Sequence, residues 1–489
     1  MPSGESMKSN HPLDGLFDAR SVAVVGASNV PGKWGFGILS RLLSDGGRDV
    51  YPVNRKQSEV LGVKAYPSLR EIPAPVDMAV IATGAELVPP TMEECAQKRV
   101  GGALIISGGF SETGEEGAKL ERQVVDIARR GGTRFIGPNC MGHFDAHSNF
   151  YTIPFKMRVR KGPATIITQS GNMGIAVIAN GWEAGLGFSK YINTGNEADV
   201  HLEEFMEYLA QDDNTQVILG YIEGLREAKR FLQLAREITQ KKPMIVLKSG
   251  RSAEGSRAAR SHSAALSGSD SAAAAAFKQS GVIRVDEISD LVDTGLAFAA
   301  QPLPRGRRVG VISMGGGLGV ISTDSLRRHG LEMARFSART IDKLDSLMST
   351  RWSRGNPIDP GGDPVIYPCI WPLLEDDNVD AVMVVGGIGM VGGLAGLMSI
   401  PDMAKGAYDR LMAESERQEV DDLDRLLELM KRHRKPVLLS RMVSGSIVKG
   451  KVSEKLLESS IYPYPSPERA ARALARLVEY SEHFGVSRR

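Results

Sequence analysis

The sequence predicts an α/β protein, a Rossmann-type unit followed by two flavodoxin-like units. Three observations carry that expectation. Short β-branched apolar runs alternate with helical stretches along nearly the whole chain, as in parallel sheets covered on both faces by crossover helices. Two later blocks repeat one order of parts: ATIITQSGNMG, DDNTQVILGYIEG and KKPMIVLKSG, then RVGVISMGGGLG, DDNVDAVMVVGGIG and RKPVLLSRMVSG. A length of 489 residues, at about 150 residues per domain, allows roughly three domains.

The expected division is a disordered tail over residues 1–12, a first domain over 13–150, a second over 151–302 and a third over 303–489. The breaks fall near Asp145–Gly162 and in the Pro/Gly/Arg linker Gln301–Arg307. Strands are expected at SVAVVG, DMAVIAT and GALIIS in the first domain, ATIITQ, QVILGYIE and PMIVLKSG in the second, and RVGVIS, DAVMVV and PVLLS in the third. The uncharged stretch Ala381–Ile400 has the length of a membrane span. Its many glycines, with Asp380 and Pro401 as bounds, read instead as a buried strand entering a glycine-rich loop. The charged stretch MAESERQEVDDLDRLLELMKRHR reads as a solvated surface helix.

Composition excludes several classes. Sixty basic against 58 acidic residues leave a net charge of +2, too little to hold a polyanion by field alone. Aromatics at 6% argue against base-stacking platforms. Cys95, Cys140 and Cys369 lie far apart without CxxC spacing, so neither a disulfide framework nor a metal site is expected, and a reducing, cytoplasmic location is. The N-terminus MPSGESMKSNHP has no apolar core and is not read as a signal peptide.

Four segments carry chemistry. In SVAVVGASNVPGKWG a strand ends at Gly26, a loop holding Ala27, Ser28 and Lys33 follows, and a helix starts near Gly35. A helix N-terminus there would seat a phosphate. The spacing is not GxGxxG, and the second strand ends in Asn54, Arg55 and Lys56 rather than in an acid for a ribose. Those bases suit an adenosine ligand with extra phosphates, which leaves coenzyme A and NADP open. The second and third segments are the turns Gln169-Ser170-Gly171-Asn172 and Gly315-Gly316-Gly317 with Gly319, each a strand-to-helix turn with free amides for an anion. The fourth is the Ser/Gly/Arg-rich loop Gly250–Asp270, which carries His262 among small residues. Glu223, at the carboxyl end of QVILGYIE, is placed to fix an imidazole tautomer and stabilise its charge.

These residues resemble the α-subunit of the ADP-forming acyl-CoA synthetases (the acetate–CoA ligase type), relatives of succinyl-CoA synthetase, from about Leu13 to the C-terminus. The stretch SHSAALSGSDSAAAAAFKQSGVIRVD carries the resemblance, with VGASNVPGKWG, SGGFSETG, IGPNCMG, QSGNMG and NPIDPGGD in support. It implies a CoA-binding Rossmann domain and two succinyl-CoA-synthetase-type domains. It further implies His262 as the phosphorylated residue, Glu223 as its carboxylate partner, and the two amide turns as holders of the phosphohistidine. By the same resemblance CoA contacts fall on Gly26, Ala27, Ser28, Lys33, Asn54 and Arg55, with Pro138 and Asn139 near the thiol. No ATP-grasp domain is recognised here, and the residues after Tyr480 are too few for one. The resemblance therefore implies a separate ATP-grasp β-subunit holding ATP or ADP and Mg2+, in a hetero-tetramer, or a homodimer when the subunit is isolated. Neither a nucleic-acid nor a membrane partner is expected. Two other readings leave more unexplained. An NADP-dependent oxidoreductase gives the His262 loop no role, and a non-catalytic CoA-binding regulatory module predicts CoA binding without phosphorylation.

Overall fold

The computed structural model describes residues 11–252, 254, 255, 257, 270–348, 352–361, 365–388, 405–441 and 450–485. The chain divides into two compact units, Met1–Ala179 with Gly187–Asp286, and Asn180–Leu186 with Glu287–Arg489.

The first unit holds two sheets. In the first, β1 (Ser21–Val25), β2 (Asp49–Val53), β3 (Met78–Ile81), β4 (Gly102–Ile105) and β5 (Arg134–Ile136) run parallel in the order β2-β1-β3-β4-β5. All residues of β1, β3 and β4 are buried, which explains why they read as unbroken apolar runs. Helix α1 (Trp34–Asp45) connects β1 to β2. The order reverses between β1 and β3, the point where ligands of open α/β sheets gather.

The second sheet comprises β6 (His143–Asp145), β7 (Phe150–Tyr151), β8 (Lys161–Thr168), β9 (Phe188–Asn193), β10 (Val217–Ile222), β11 (Met244–Lys248) and β12 (Ile283–Val285). Its order is β12-β11-β10-β8-β9-β6-β7. Helix α2 (Gly171–Ala184) follows β8. Here the switch lies between β8 and β10, the strands that end at Gln169 and Glu223. Residues 143–151, expected at the end of the first domain, instead pair with this sheet, β6 lying antiparallel to β9. Lys190 on β9 is the reason: its buried ammonium meets Asp145 at 3.2 Å and Asp212 at 2.8 Å, tying the hairpin to the second core.

His143 on β6 is fully buried, edge-on to Phe17 and Phe150 at 5.1 Å each, with Nδ1 3.2 Å from the Thr152 hydroxyl. Burial pushes its pKa down to about 3, nearby Arg48 adding to the effect and Asp145 opposing it. The unfolded chain binds this proton near pH 6.5 and the folded chain does not. Stability from the neutral ring is therefore complete above about pH 6.5 and is lost as pH falls toward 3, by about 2 kcal/mol at pH 5. Urea unfolding of His143→Phe at pH 7.5 and 5 should show a shallower acid loss by that amount. Equal losses in both proteins would exclude this account.

The second unit is built on β13 (Arg308–Ser313), β14 (Glu332–Met333), β15 (Ala381–Val385) and β16 (Val437–Ser440), parallel in the order β14-β13-β15-β16. The reversal again follows the first strand, as in the second sheet. Helices α3 (Ile288–Ala300), α4 (Gly316–Arg328), α5 (Ile366–Glu375), α6 (Lys405–His433) and α7 (Pro467–His483) surround it. Helix α3 was expected to close the second domain. It belongs to this unit by contact, because the Arg469 guanidinium on α7 grips the buried Asp293 carboxylate with bonds of 2.6 and 2.7 Å.

Helix α6 departs from the solvated helix expected there. Leu423, Leu426 and Met430 are buried in the core, Tyr367 of α5 bonds Glu419 at 3.3 Å, and Arg425 stacks over Trp371. The apolar stretch at 381–400 begins as the buried strand β15, and residues 389–400 lie outside the described residues. No described helix is long and apolar enough to cross a membrane.

Candidate functional site

At the end of β8 the residue after the strand, Gln169, turns its amide across the switch point. Its Oε1 accepts from the Glu223 and Gly224 amides at 2.6 and 3.1 Å, and its Nε2 donates to the Gly224 carbonyl at 2.9 Å and to Glu197 Oε1 at 3.0 Å. Its backbone N–H bonds the Tyr221 carbonyl. Gln169 was expected among the anion-binding residues. Its polar groups are committed to the chain instead, and its role is to pin the backbone of Glu223, which is itself buried. Lys248, at the end of β11, adds a bond from Nζ to the Glu223 carbonyl at 2.8 Å and another to the Ser249 carbonyl at 2.7 Å. Burial lowers its pKa, against the pull of nearby Asp270 and Glu223. The sequence gave no signal for Lys248, an ordinary lysine at a strand end.

Ser170, Gly171 and Asn172 open α2, whose first-turn amides have no partner within the helix. The packing there requires glycine. A Cβ on Gly171 would lie 2.9 Å from the Met141 side chain, and one on Gly174 would lie 2.4 Å from the Tyr191 ring. In the second unit, Gly315 caps α4 at φ +100°, Gly316 and Gly317 form its first turn, and Gly319 packs toward Ser313 and Pro357. Asp359 of the NPIDPGGD segment stands 3.7 Å from a Cβ placed on Gly316.

Pro138 and Asn139 follow β5. The Pro138 carbonyl accepts from Asn196 N at 2.9 Å, and Asn139 Nδ2 donates to Asn196 Oδ1 at 3.3 Å. Asn196 also donates to Glu112 at 2.6 Å. Burial would raise the Glu112 carboxyl, but that bond and amides including Gly109 outweigh it and hold its pKa below the usual range. The neighbouring Glu197, fully buried, is raised by desolvation despite its bonds from Gln169 and Thr194. The segment 194–198 thus links Pro138–Asn139 to the Gln169–Glu223 turn. Nothing in the sequence marks Asn196 and Glu197, because their role arises only when two sheets meet.

At the first switch point Gly26 sits at φ +88°, where a Cβ would lie 2.5 Å from the Ala82 carbonyl oxygen. Asn54 Nδ2 bonds the Ala27 carbonyl at 2.8 Å, while its Oδ1 accepts from Lys56 N and Gln57 N. Asn54 therefore shapes the loop rather than offering its amide to a ligand. Ser28 Oγ accepts from Val30 N at 3.0 Å and keeps its proton to donate. Lys33 and Arg55 are exposed. His262 lies outside the described residues.

Residues 20–144 match the model of a CoA binding domain, and residues 161–298 match that of a succinyl-CoA ligase like flavodoxin domain. The chain is 38% identical to the acetate–CoA ligase [ADP-forming] II subunit alpha of Pyrococcus furiosus over 97% of this chain and 99% of that one. The chain belongs to the ADP-forming acyl-CoA synthetases, as an α-subunit. As a member of that family it is an acid–thiol ligase with CoA as a substrate, and an α-subunit implies a partner subunit. Acetyl-coenzyme A synthetase 1 of Ca. Korarchaeum cryptofilum, in complex with phosphate and ADP, superposes with a TM-score of 0.82 at 31% identity over 97% of each chain. The 4-hydroxybutyrate–CoA ligase [ADP-forming] of Nitrosopumilus maritimus is 33% identical over 96% of this chain, which spans 64% of that longer one.

Proposed function

We propose that this synthetase subunit carries the acyl-phosphate and phosphohistidine steps, and that an ATP-grasp β-subunit supplies the nucleotide site and Mg2+. In the direction of thioester breakdown, a phosphate oxygen attacks the thioester carbonyl, the C–S bond breaks, and CoA leaves as thiolate. The ring nitrogen of His262 then attacks the phosphorus of the acyl phosphate, the P–O bond to the acyl group breaks, and the carboxylate departs. Glu223 fixes the ring tautomer and stabilises the charge that develops on the imidazole. The amides of Ser170, Gly171 and Asn172 offset the phosphoryl charge. The turn at Gly315, Gly316, Gly317 and Gly319 is a second phosphoryl-binding helix end of the same kind. Gly26, Ala27, Ser28, Lys33 and Arg55 hold the phosphates of CoA, Asn54 shapes their loop, and Pro138 and Asn139 border the thiol. The phosphorylated loop delivers its group to ADP on the β-subunit, in a hetero-oligomer. In reverse, ATP activates a carboxylic acid. The observation that supports this reading best is the pinning of Glu223 beside the amide turn at a sheet's switch point, with the His262 segment following the next strand.

Labelling the full chain with radioactive phosphate and an acyl-CoA, with the β-subunit present, tests it. The expected label is acid-labile, base-stable and absent in His262→Ala. CoA binding with no label under any thioester would favour the non-catalytic regulatory module. Absence of CoA binding would return the first domain to NADP.

A further inference from the structure

A cavity of about 560 Å³ lies along the face of α1 that carries residues 33, 37, 40, 41 and 44, within the first unit. Lys33, Trp34, Arg41, Met141, Phe155 and Lys156 are prominent in its lining. Its volume falls in the range of about 300–1,000 Å³ found for sites that enclose small-molecule ligands. One end is Lys33, on the turn assigned to CoA. The other is Met141, whose side chain packs at 2.9 and 3.0 Å from a Cβ placed on Gly171, the first residue of α2. The cavity therefore joins the coenzyme turn to the phosphoryl turn, the two ends that a thioester must span.

Its walls name a chemistry. Trp34 and Phe155 are 40% and 39% exposed, large apolar surfaces that a flat apolar body would cover. Arg41 is nine-tenths buried. Its Nε bonds Asp45 at 2.7 Å, its guanidinium lies 4.0 Å over the Tyr151 ring, and its Nη1 is buried without a partner. A buried donor left unpaired is costly, and an oxygen acceptor brought by a ligand would relieve it. Acetyl is too small to touch both the rings and the guanidinium.

We propose that this cavity is the acyl pocket, and that it takes aromatic acids bearing an oxygen on the ring, which Arg41 reads. The proposal rests on the CoA-ligase reading above.

Calorimetric titration of the full chain with CoA, acetyl-CoA, benzoyl-CoA and 4-hydroxybenzoyl-CoA tests it without requiring turnover. The expected order places 4-hydroxybenzoyl-CoA at least tenfold tighter than acetyl-CoA, with benzoyl-CoA between them. Arg41→Gln should remove the advantage of the hydroxyl and leave CoA and acetyl-CoA binding as they were. Ser40→Trp, at an exposed position on the cavity wall, should remove the advantage of both aromatic thioesters without touching the Arg41 contacts. Equal binding of acetyl-CoA and 4-hydroxybenzoyl-CoA by the unaltered chain would overturn the proposal and leave the ligase reading intact. Equal weakening of all four ligands by Arg41→Gln in a folded protein would overturn it too, making the cavity part of the coenzyme site. If none of the four binds, the CoA-ligase reading falls and the pocket assignment with it.

Discussion

Glu223→Gln should leave the fold and CoA binding unchanged while slowing phosphohistidine formation by about 10²–10⁴-fold, the range for loss of a positioned acid–base partner. The separation of effects follows from how the residue is held. Gln169 and Lys248 grip the backbone of residues 223–224, and neither bond changes when the side chain becomes an amide of the same shape. What is lost is the negative charge. An amide can still hydrogen-bond a ring nitrogen, but it cannot stabilise an imidazolium, nor does it impose one tautomer. A single-turnover measurement of label transfer, beside a thermal melt, separates the two effects. A rate within twofold of the parent would remove Glu223 from the chemistry. A large fall in melting temperature would instead make it a structural acid.

The sheets were legible because their inner strands are buried on both faces, so that AVV, AVI and VILGYI stand out as apolar runs between helices. The outer strands were less so. His143–Asp145 and Phe188–Asn193 carry His143, Asp145 and Lys190, residues that look exposed in isolation. They are buried because Lys190 finds two carboxylates and His143 finds two aromatic rings, partners that only the tertiary fold supplies. The same limit applies at the candidate site. Glycine turns and Glu223 announce themselves through position at strand ends. Gln169 reads as one more ligand until its four bonds to the chain are seen, and Arg41 reads as a surface residue of an amphipathic helix until Tyr151 and Asp45 enclose it. Helix α6 shows the reverse: its charges are plain in the sequence, whereas the stripe of Leu423, Leu426 and Met430 gains meaning only against α5.

The other large effect is expected at Gly35, where the start of α1 presses on the end of β1. A Cβ there would stand 2.0 Å from the Gly26 carbonyl oxygen and 2.8 Å from its carbon. Both are backbone atoms and cannot rotate away. Gly26 cannot retreat either, since its own left-handed backbone already lies against the Ala82 carbonyl. Two residues on, Gly37 is equally close to Pro154, 2.1 Å from its carbonyl oxygen to a Cβ, so α1 is trapped on two sides. Gly35→Ala must therefore push the helix start away by an ångström or more. We expect a stability loss of about 3 kcal/mol, the upper part of the usual overpacking range. A helix N-terminus binds a phosphate through amides and a dipole that fade within the first turn, so CoA affinity should fall at least about tenfold. Gly101→Ala is the matched control. Its Cβ would meet only the Asp77 carbonyl oxygen, at an ordinary 3.8 Å, and both stability and CoA binding should stay near the parent. If Gly35→Ala melts and binds CoA as Gly101→Ala does, the close approach of α1 to β1 is not what builds the coenzyme turn, and the phosphate contacts must come from the exposed bases Lys33 and Arg55 alone.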